Sequence, residues 1–312
     1  MGKKIPKKVL EIKSTKKPKI DYKTQKSFSY SQLSTYLTCP HRWFLDKVEG
    51  HQVYEPSIHT VFGTALHETI QKWLDVLYSG TIKQATEMDL DGLLLERMRK
   101  TYKKERYRFN HINFSNSQQL QEFYDQGRKI MKYLVKKRSN YFFKKKVYLA
   151  GIETPLTVEV KPNVFFVGYI DLVFYDEQAD EYTLIDIKTS TLGWDKFQKK
   201  DETKQYQLIL YKYYFSQVFD IPLEKIKIQY FICKRKIPEE SDWPAKRIQI
   251  VEPASGKIKI KKAVGVVDTF VKEVFDEDGE YVRKTYQKNP SVWNCKFCIY
   301  NNQPHLCGAG VI

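Results

Sequence analysis

Val167-Gly168-Tyr169-Ile170-Asp171-Leu172-Val173-Phe174 and Leu184-Ile185-Asp186-Ile187-Lys188 are the stretches whose reading decides the fold. The first is an apolar, strand-forming run broken by one charge, Asp171. In the second, Asp186 and Lys188 stand two apart and so emerge on one strand face, while Ile185 and Ile187 turn to the other. Strands are therefore expected over Thr154 to Val160, Val164 to Tyr175 and Tyr182 to Lys188, with residues 176–181 as the turn between the last two. A helical pattern over Lys204 to Phe219 and a strand-like run over Lys225 to Lys234 follow. Strand, hairpin, helix, strand is the order of a mixed α/β core. Two shorter strands around Arg247 to Ile260, a helix over Ala263 to Phe275 and an irregular cysteine segment at 290–312 complete this side of the chain.

On the N-terminal side, residues 1–26 hold many lysines and little apolar content. They read as a flexible basic arm able to lie along phosphates, or as a solubilising tail. Order is expected to begin near Phe28, with Ser29 or Ser31 capping a helix through Leu33, Tyr36 and Leu37 that ends at Cys39-Pro40. Phe62, Leu66, Ile70, Trp73 and Leu77 recur at helical spacing within a helix from Thr60 to Tyr78. Residues 83–146 read as a charged helical insertion, with helices over Leu93 to Arg108 and Gln118 to Arg138. Residues 27–312 then form one elaborated domain.

The 312 residues are 42% hydrophobic, enough to bury a large core, and no repeat is visible. Lys and Arg outnumber Asp and Glu, 53 to 37, so the formal charge of +16 favours polyanionic partners such as nucleic acid or anionic lipid. The 22 tyrosines and 18 phenylalanines belong mostly to the core, although rings among cations also suit base stacking. No apolar run is long enough for a signal sequence or membrane span, which points to the cytoplasm, or to a host's cytoplasm for a viral protein. Five cysteines under reducing conditions suggest metal ligands or buried thiols before disulfides.

For an isolated Asp-x-Lys, a cross-strand salt bridge is the simpler reading. Asp171 changes the balance. A charge inside an apolar strand needs a partner or a metal, and two carboxylates converging from adjacent strands repel unless a divalent cation lies between them. Such a site suits phosphodiester hydrolysis. Carboxylates hold Mg2+ or Mn2+, the cation polarises the phosphate, and a lysine steadies the attacking water.

With Gly168-Tyr169-Ile170-Asp171 followed by Asp186-Ile187-Lys188, the sequence resembles the PD-(D/E)XK nuclease superfamily, specifically its RecB-like branch. Tyr169-Ile170 stands before the first aspartate where proline is usual. The resemblance implies a restriction-endonuclease-like mixed sheet flanked by helices, with Asp171, Asp186 and Lys188 catalytic. It extends to Gly63-Thr64-Ala65-Leu66-His67, similar to a helical motif whose histidine is a further metal ligand. Gly63, one turn earlier, leaves room there. A lone His67 would otherwise be read as a packed core histidine. Gln207-Leu208-Ile209-Leu210-Tyr211 resembles the branch's Gln-x3-Tyr motif, which implies that Gln207 and Tyr211 share a helix face and contact DNA or the site. Glu153 matches a position where relatives place an acidic residue near the metal. Glu159 competes with it.

Cys295-Lys296-Phe297-Cys298 and Cys307 make a Cys-x2-Cys-x8-Cys set suited to metal. Cys39 looks like the remote N-terminal cysteine of the iron-sulfur subset of RecB-like nucleases, which includes CRISPR-adaptation and AddB-type proteins. That resemblance implies a [4Fe-4S] cluster on Cys39, Cys295, Cys298 and Cys307, clamping the two ends together. Structural Zn2+ is the alternative, with His305 completing a Cys3His set. Cys233 reads as a buried free thiol. The expected function is a metal-dependent DNA exonuclease acting on ends or single strands in recombination, repair or DNA processing. The alternatives are a flap or junction endonuclease and a non-cutting DNA-binding scaffold. No Gly-x4-Gly-Lys-Ser/Thr loop is present, so a helicase partner would be a separate chain.

Overall fold

A computed structural model describes residues 5–51, 55–142, 144–237, 246–301 and 303–308. In chain order the elements are α1 (Lys7–Ser14), β1 (Lys26–Phe28), α2 (Tyr30–Thr38), α3 (Pro40–Lys47), α4 (Ile58–Ser79), α5 (Ile82–Glu87), α6 (Leu90–Arg108), α7 (Ser117–Lys136) and α8 (Arg138–Tyr141). Then come β2 (Val147–Lys161), β3 (Val164–Asp176), β4 (Glu181–Ser190), α9 (Lys196–Lys200), α10 (Glu202–Phe219), β5 (Ile226–Lys234), β6 (Ile248–Val251), α11 (Lys257–Val274) and α12 (Val292–Cys295).

The six strands form one mixed sheet. β2 pairs antiparallel with β3 from end to end, leaving one edge of β3 for its other partners. That edge is shared. β1 pairs parallel with Val164 to Phe166, and β4 pairs antiparallel with Leu172 to Asp176. Among the described residues the stretch from Val167 to Asp171 therefore has no strand partner on this side, and the sheet splits there. β4 continues to Ser190 in parallel pairing with β5, and β6 closes the far edge.

Each sheet face carries its own core. One buries Leu184, Tyr214 and Tyr230 against Leu33, Trp43, Phe270 and Val274 of α2, α3 and α11. The other buries Ile185, Ile187 and Phe231 against α4, α6 and α7 through Phe62, Leu66, Leu94, Phe123 and Ile130. The result is a helix, sheet, helix sandwich of the restriction-endonuclease-like kind. The helical stretch at 83–146 is part of this second layer, because one face of α6 and of α7 is buried in it. Side-chain caps start several long helices: Asp89 for α6, Asn116 for α7, and Asp201, which accepts from Thr203 N and Lys204 N, for α10, while Ser29 precedes α2 without a side-chain cap bond.

Two expectations change. Residues 1–26 are not an arm throughout: α1 buries Val9 (1% exposed) and Ile12 (3%) against β2, two apolar positions three apart among lysines. Residues 1–4 lie outside the described residues. Of the two strands expected around Arg247 to Ile260, β6 forms, while Lys257 to Ile260 opens α11. In a strand Ile258 and Ile260 would share a face, yet Ile258 is 85% exposed and Ile260 is 6%.

Candidate active site

Asp171 and Asp186 meet at the split in the sheet. Beyond the Leu172 and Ile185 pair, the β3–β4 ladder stops, which leaves the Ile187 N–H of β4 facing the gap. Asp171 Oδ2 takes that donor at 2.6 Å, so a side chain completes what the ladder does not. Asp186 is nearly sealed, its side chain 5% exposed, and its Oδ2 lies 2.8 Å from Lys188 Nζ. The contact is one of charge, since its angle leaves Oδ2 without an aligned hydrogen bond. Lys188 in turn donates to Gln207 Oε1 at 3.1 Å, and Gln207 Nε2 donates to the Tyr211 hydroxyl at 3.4 Å. The Gln-x3-Tyr pair of α10 thus lies against Lys188 of β4.

Burial first, and then repulsion from Asp186 and Glu153, drives the Asp171 carboxyl well above the ordinary carboxylate range; the Ile187 amide and Lys188 oppose it. Burial also raises Asp186, against the pull of Lys188. For Lys188 burial works downward, but Asp186 and Asp171 outweigh it and the ammonium is held above its usual value. Two carboxylates that resist ionising together make a site that takes up a proton or a cation.

His67, on α4, places Nδ1 3.7 Å from Asp171 Oδ2. Burial and then Lys188 push its pKa down to about 4, so near neutral pH the imidazole is uncharged, the form that ligates metals. Gly63 is less demanding than the sequence implies: a methyl group there would stand 3.6 Å from Thr189 Oγ1, an ordinary contact. Gly168 is the tight glycine. A Cβ there would come within 2.7 Å of Tyr211 Cε1, so only glycine lets that ring close over the split.

Glu153 lies opposite Asp171 on β2, between the Ile152 and Leu172 pair and the Thr154 and Ile170 pair. Its φ of 49° is unusual for a strand residue, and its Oε1 accepts from Gln71 Nε2 at 2.5 Å. Glu159 instead accepts from the Asn163 amide at 2.9 Å in the β2–β3 turn, which sets it apart from the site. Gln71 is the residue that sequence reasoning missed. One turn after His67 on the same helix face, it touches both Glu153 and the Asp171 carbonyl, the latter at 3.5 Å. Among the described residues no three His, Cys, Asp or Glu side chains stand in a set ready to hold a metal. In the site each carboxylate has a protein partner instead: Lys188 engages Asp186, the Ile187 amide engages Asp171, and Gln71 engages Glu153.

Away from these residues, Cys39, Cys295, Cys298 and Cys307 line one cleft together with His41 and Arg42. All are free thiols, and burial chiefly raises Cys298. The cleft joins the chain's ends. Asn289 and Asn294 donate to Thr38 O at 3.0 and 3.3 Å, and His41 Nε2 lies 3.0 Å from Leu306 O. His305 is exposed and does not line this cleft. Cys233 is a buried thiol in β5, raised by burial, as expected. Residues 302 and 309–312 of the cysteine segment lie outside the described residues.

A carboxylate pair with a lysine beside it, set where a mixed sheet splits, defines a restriction-endonuclease-like protein. The chain belongs to the PD-(D/E)XK nuclease superfamily, whose profile matches residues 27–303. Among solved structures it is similar to a putative exonuclease from Eubacterium rectale, with 12% identity and a TM-score of 0.47 over 92% of this chain and 100% of that one. It is also similar to the protein SSO0001, with 16% identity and a TM-score of 0.37 over 98% of this chain and 94% of that one. No curated protein sequence matches significantly. No helix among the described residues is long and apolar enough to cross a membrane.

Proposed function

We propose that the chain is a metal-dependent DNA exonuclease of the RecB-like branch, hydrolysing phosphodiester bonds at DNA ends or in single strands. The observation that carries this reading is the pairing of partly buried Asp171 with buried Asp186 beside Lys188. Their charge asks for a cation, and superfamily members generally use Mg2+ or Mn2+. Asp171, Asp186 and His67 would hold it, with Glu153 alongside. When bound, the cation supplies phosphate polarisation and neutralises developing charge. Lys188, oriented by Asp186 and Gln207, is placed to donate a hydrogen bond to the attacking water or a phosphate oxygen. Tyr211 and Gln207 wall the site on the α10 side and keep Lys188 in place. The formal charge of +16 supports a polyanionic substrate.

End-labelled single- and double-stranded DNA, with Mg2+ or Mn2+ and with chelator, tests the reading. Product ladders growing from one end are expected with metal, and none with chelator. Internal cuts at flaps or junctions would favour the endonuclease reading, and absence of any cutting would leave the scaffold reading.

The four cysteines line one cleft, which His305 does not, although among the described residues no three of them stand as a set ready to hold a metal. A [4Fe-4S] cluster bracing the two ends of the domain is the proposed occupant, with structural Zn2+ as the alternative. Residues 27–312 would then act as one domain.

A further inference from the structure

The connection from β4 to α10 leaves the site at Ser190 and returns to it at Gln207, and it is built rigidly. Gly193, at a φ of 103°, lets the chain turn, and Ser190 Oγ both donates to Gly193 O at 3.0 Å and accepts from Gly193 N at 3.1 Å. Gln249 of β6 clamps both backbone groups of Trp194, at 2.7 and 3.0 Å. The Trp194 ring packs 4.8 Å from that of Tyr230, whose other neighbour is the Lys188 ammonium, 5.9 Å from the ring centre. A double cap then starts α9: Asp195 accepts from Phe197 N and Gln198 N, each at 2.8 Å, while Gln198 reaches back to Asp195 N.

All this order presents side chains that touch little protein. Phe197 is 72% exposed and Leu192 is 61%. Lys196 stands 5.1 Å from the ring centre, and Lys199 and Lys200 of the same short helix are exposed. Among the described residues, none of the three lysines meets a carboxylate at ion-pair distance, and Asp195 is spent on the cap. An exposed ring beside unpaired cations, on a rigid connection whose Trp194 is linked to Lys188 through the Tyr230 ring, matches how proteins grip single-stranded nucleic acid. Every base has a face to stack, and every step of the backbone carries a charge.

We propose that residues 191–200 hold unpaired DNA beside the cleavage centre, with a base stacked on Phe197 and the flanking phosphates on Lys196, Lys199 and Lys200. The proposal rests on the nuclease reading above and sharpens it to substrates with unpaired bases next to the scissile bond. Fully paired duplex keeps its bases in the stack and cannot use the ring.

Binding is measured on the full chain in chelator with oligonucleotides carrying 2-aminopurine, and cleavage is measured separately with Mn2+. Phe197→Ala is expected to weaken single-strand binding about tenfold, remove the 2-aminopurine quenching, and raise KM with little change in kcat. Phe197→Trp should retain both binding and quenching. Lys196→Gln, Lys199→Gln and Lys200→Gln together should reduce the salt slope of single-strand binding by about two. Phe197 is exposed, so its removal leaves the core intact, and circular dichroism checks that. Unchanged single-strand affinity in Phe197→Ala, or an equal loss on blunt duplex, overturns the proposal. A wild-type protein that binds in this way but cuts nothing refutes the nuclease reading and leaves the binding surface standing.

Discussion

Gly168→Ala tests whether the closeness of β3 and α10 sets the geometry of the site. The new Cβ would lie 2.7 Å from Tyr211 Cε1 and 3.2 Å from both Cζ and the hydroxyl. Carbon atoms rest about 3.5 Å apart or more, so the ring must retreat by roughly 0.8 Å. Tyr211 is 5% exposed and packed into the first core, so it cannot swing clear. Overpacking of this size costs about 1–3 kcal/mol, which lowers the melting temperature by several degrees in a domain this large. The larger effect is on cutting. Tyr211 accepts from Gln207, and Gln207 accepts from Lys188, so displacement of the ring is passed to the ammonium. A misplacement of about 1 Å near the reacting groups can cost about a hundredfold in rate. Thermal denaturation and single-turnover cleavage of end-labelled DNA read the two effects. Tyr211→Leu should partly relieve the stability cost, so the double variant should be less destabilised than the two single changes added together. Strict additivity, or wild-type cleavage by Gly168→Ala, would refute the reasoning.

Other outcomes follow from the same geometry. Asp186→Asn and Lys188→Ala should each abolish cutting while leaving DNA binding largely intact; full activity in both would remove the site assignment. Asp171 and Asp186 titrate higher in the fold than in the unfolded chain, so their ionised forms disfavour folding as pH rises. Metal-free Asp186→Asn should therefore be at least as heat-stable as wild type at mildly alkaline pH, and a clear loss there would contradict it. For the same reason cutting should decline with acid starting above the ordinary carboxylate value of about 3.9. His67, down at about 4, should add no titration near neutrality. A rate profile whose neutral limb disappears in His67→Gln would reverse that assignment. Anaerobically purified protein should be brown and contain iron, with Cys39→Ser losing both; colourless protein with stoichiometric zinc would establish the alternative.

Most helices and strands were legible because burial of one face writes a period into the chain. The Phe62, Leu66, Ile70, Trp73 and Leu77 series marks α4, and Val164 to Tyr175 marks all but the last residue of β3. Where a segment is short, the periods overlap. Lys257 to Ile260 alternates like a strand, yet it forms the first turn of α11 because packing buries Ile260 and leaves Ile258 outside. In α1 three apolar residues among lysines, of which only Val9 and Ile12 are buried, carried too little signal to reveal a docked helix.

For the site, the sequence by itself determined which chemistry was available: two aspartates and a lysine on strands, a histidine on a helix, and a glutamine and tyrosine one turn apart. Residue type and local spacing are enough for that. Only the tertiary structure decided how they meet. The split between β3 and β4 exists because β1 occupies one end of an edge whose other end β4 takes, a pairing between segments more than a hundred residues apart. Gln71 joins the site because α4 packs on β2 at Glu153, and Gly168 matters because Tyr211 closes over it. Such contacts come from long-range packing, which no local period records.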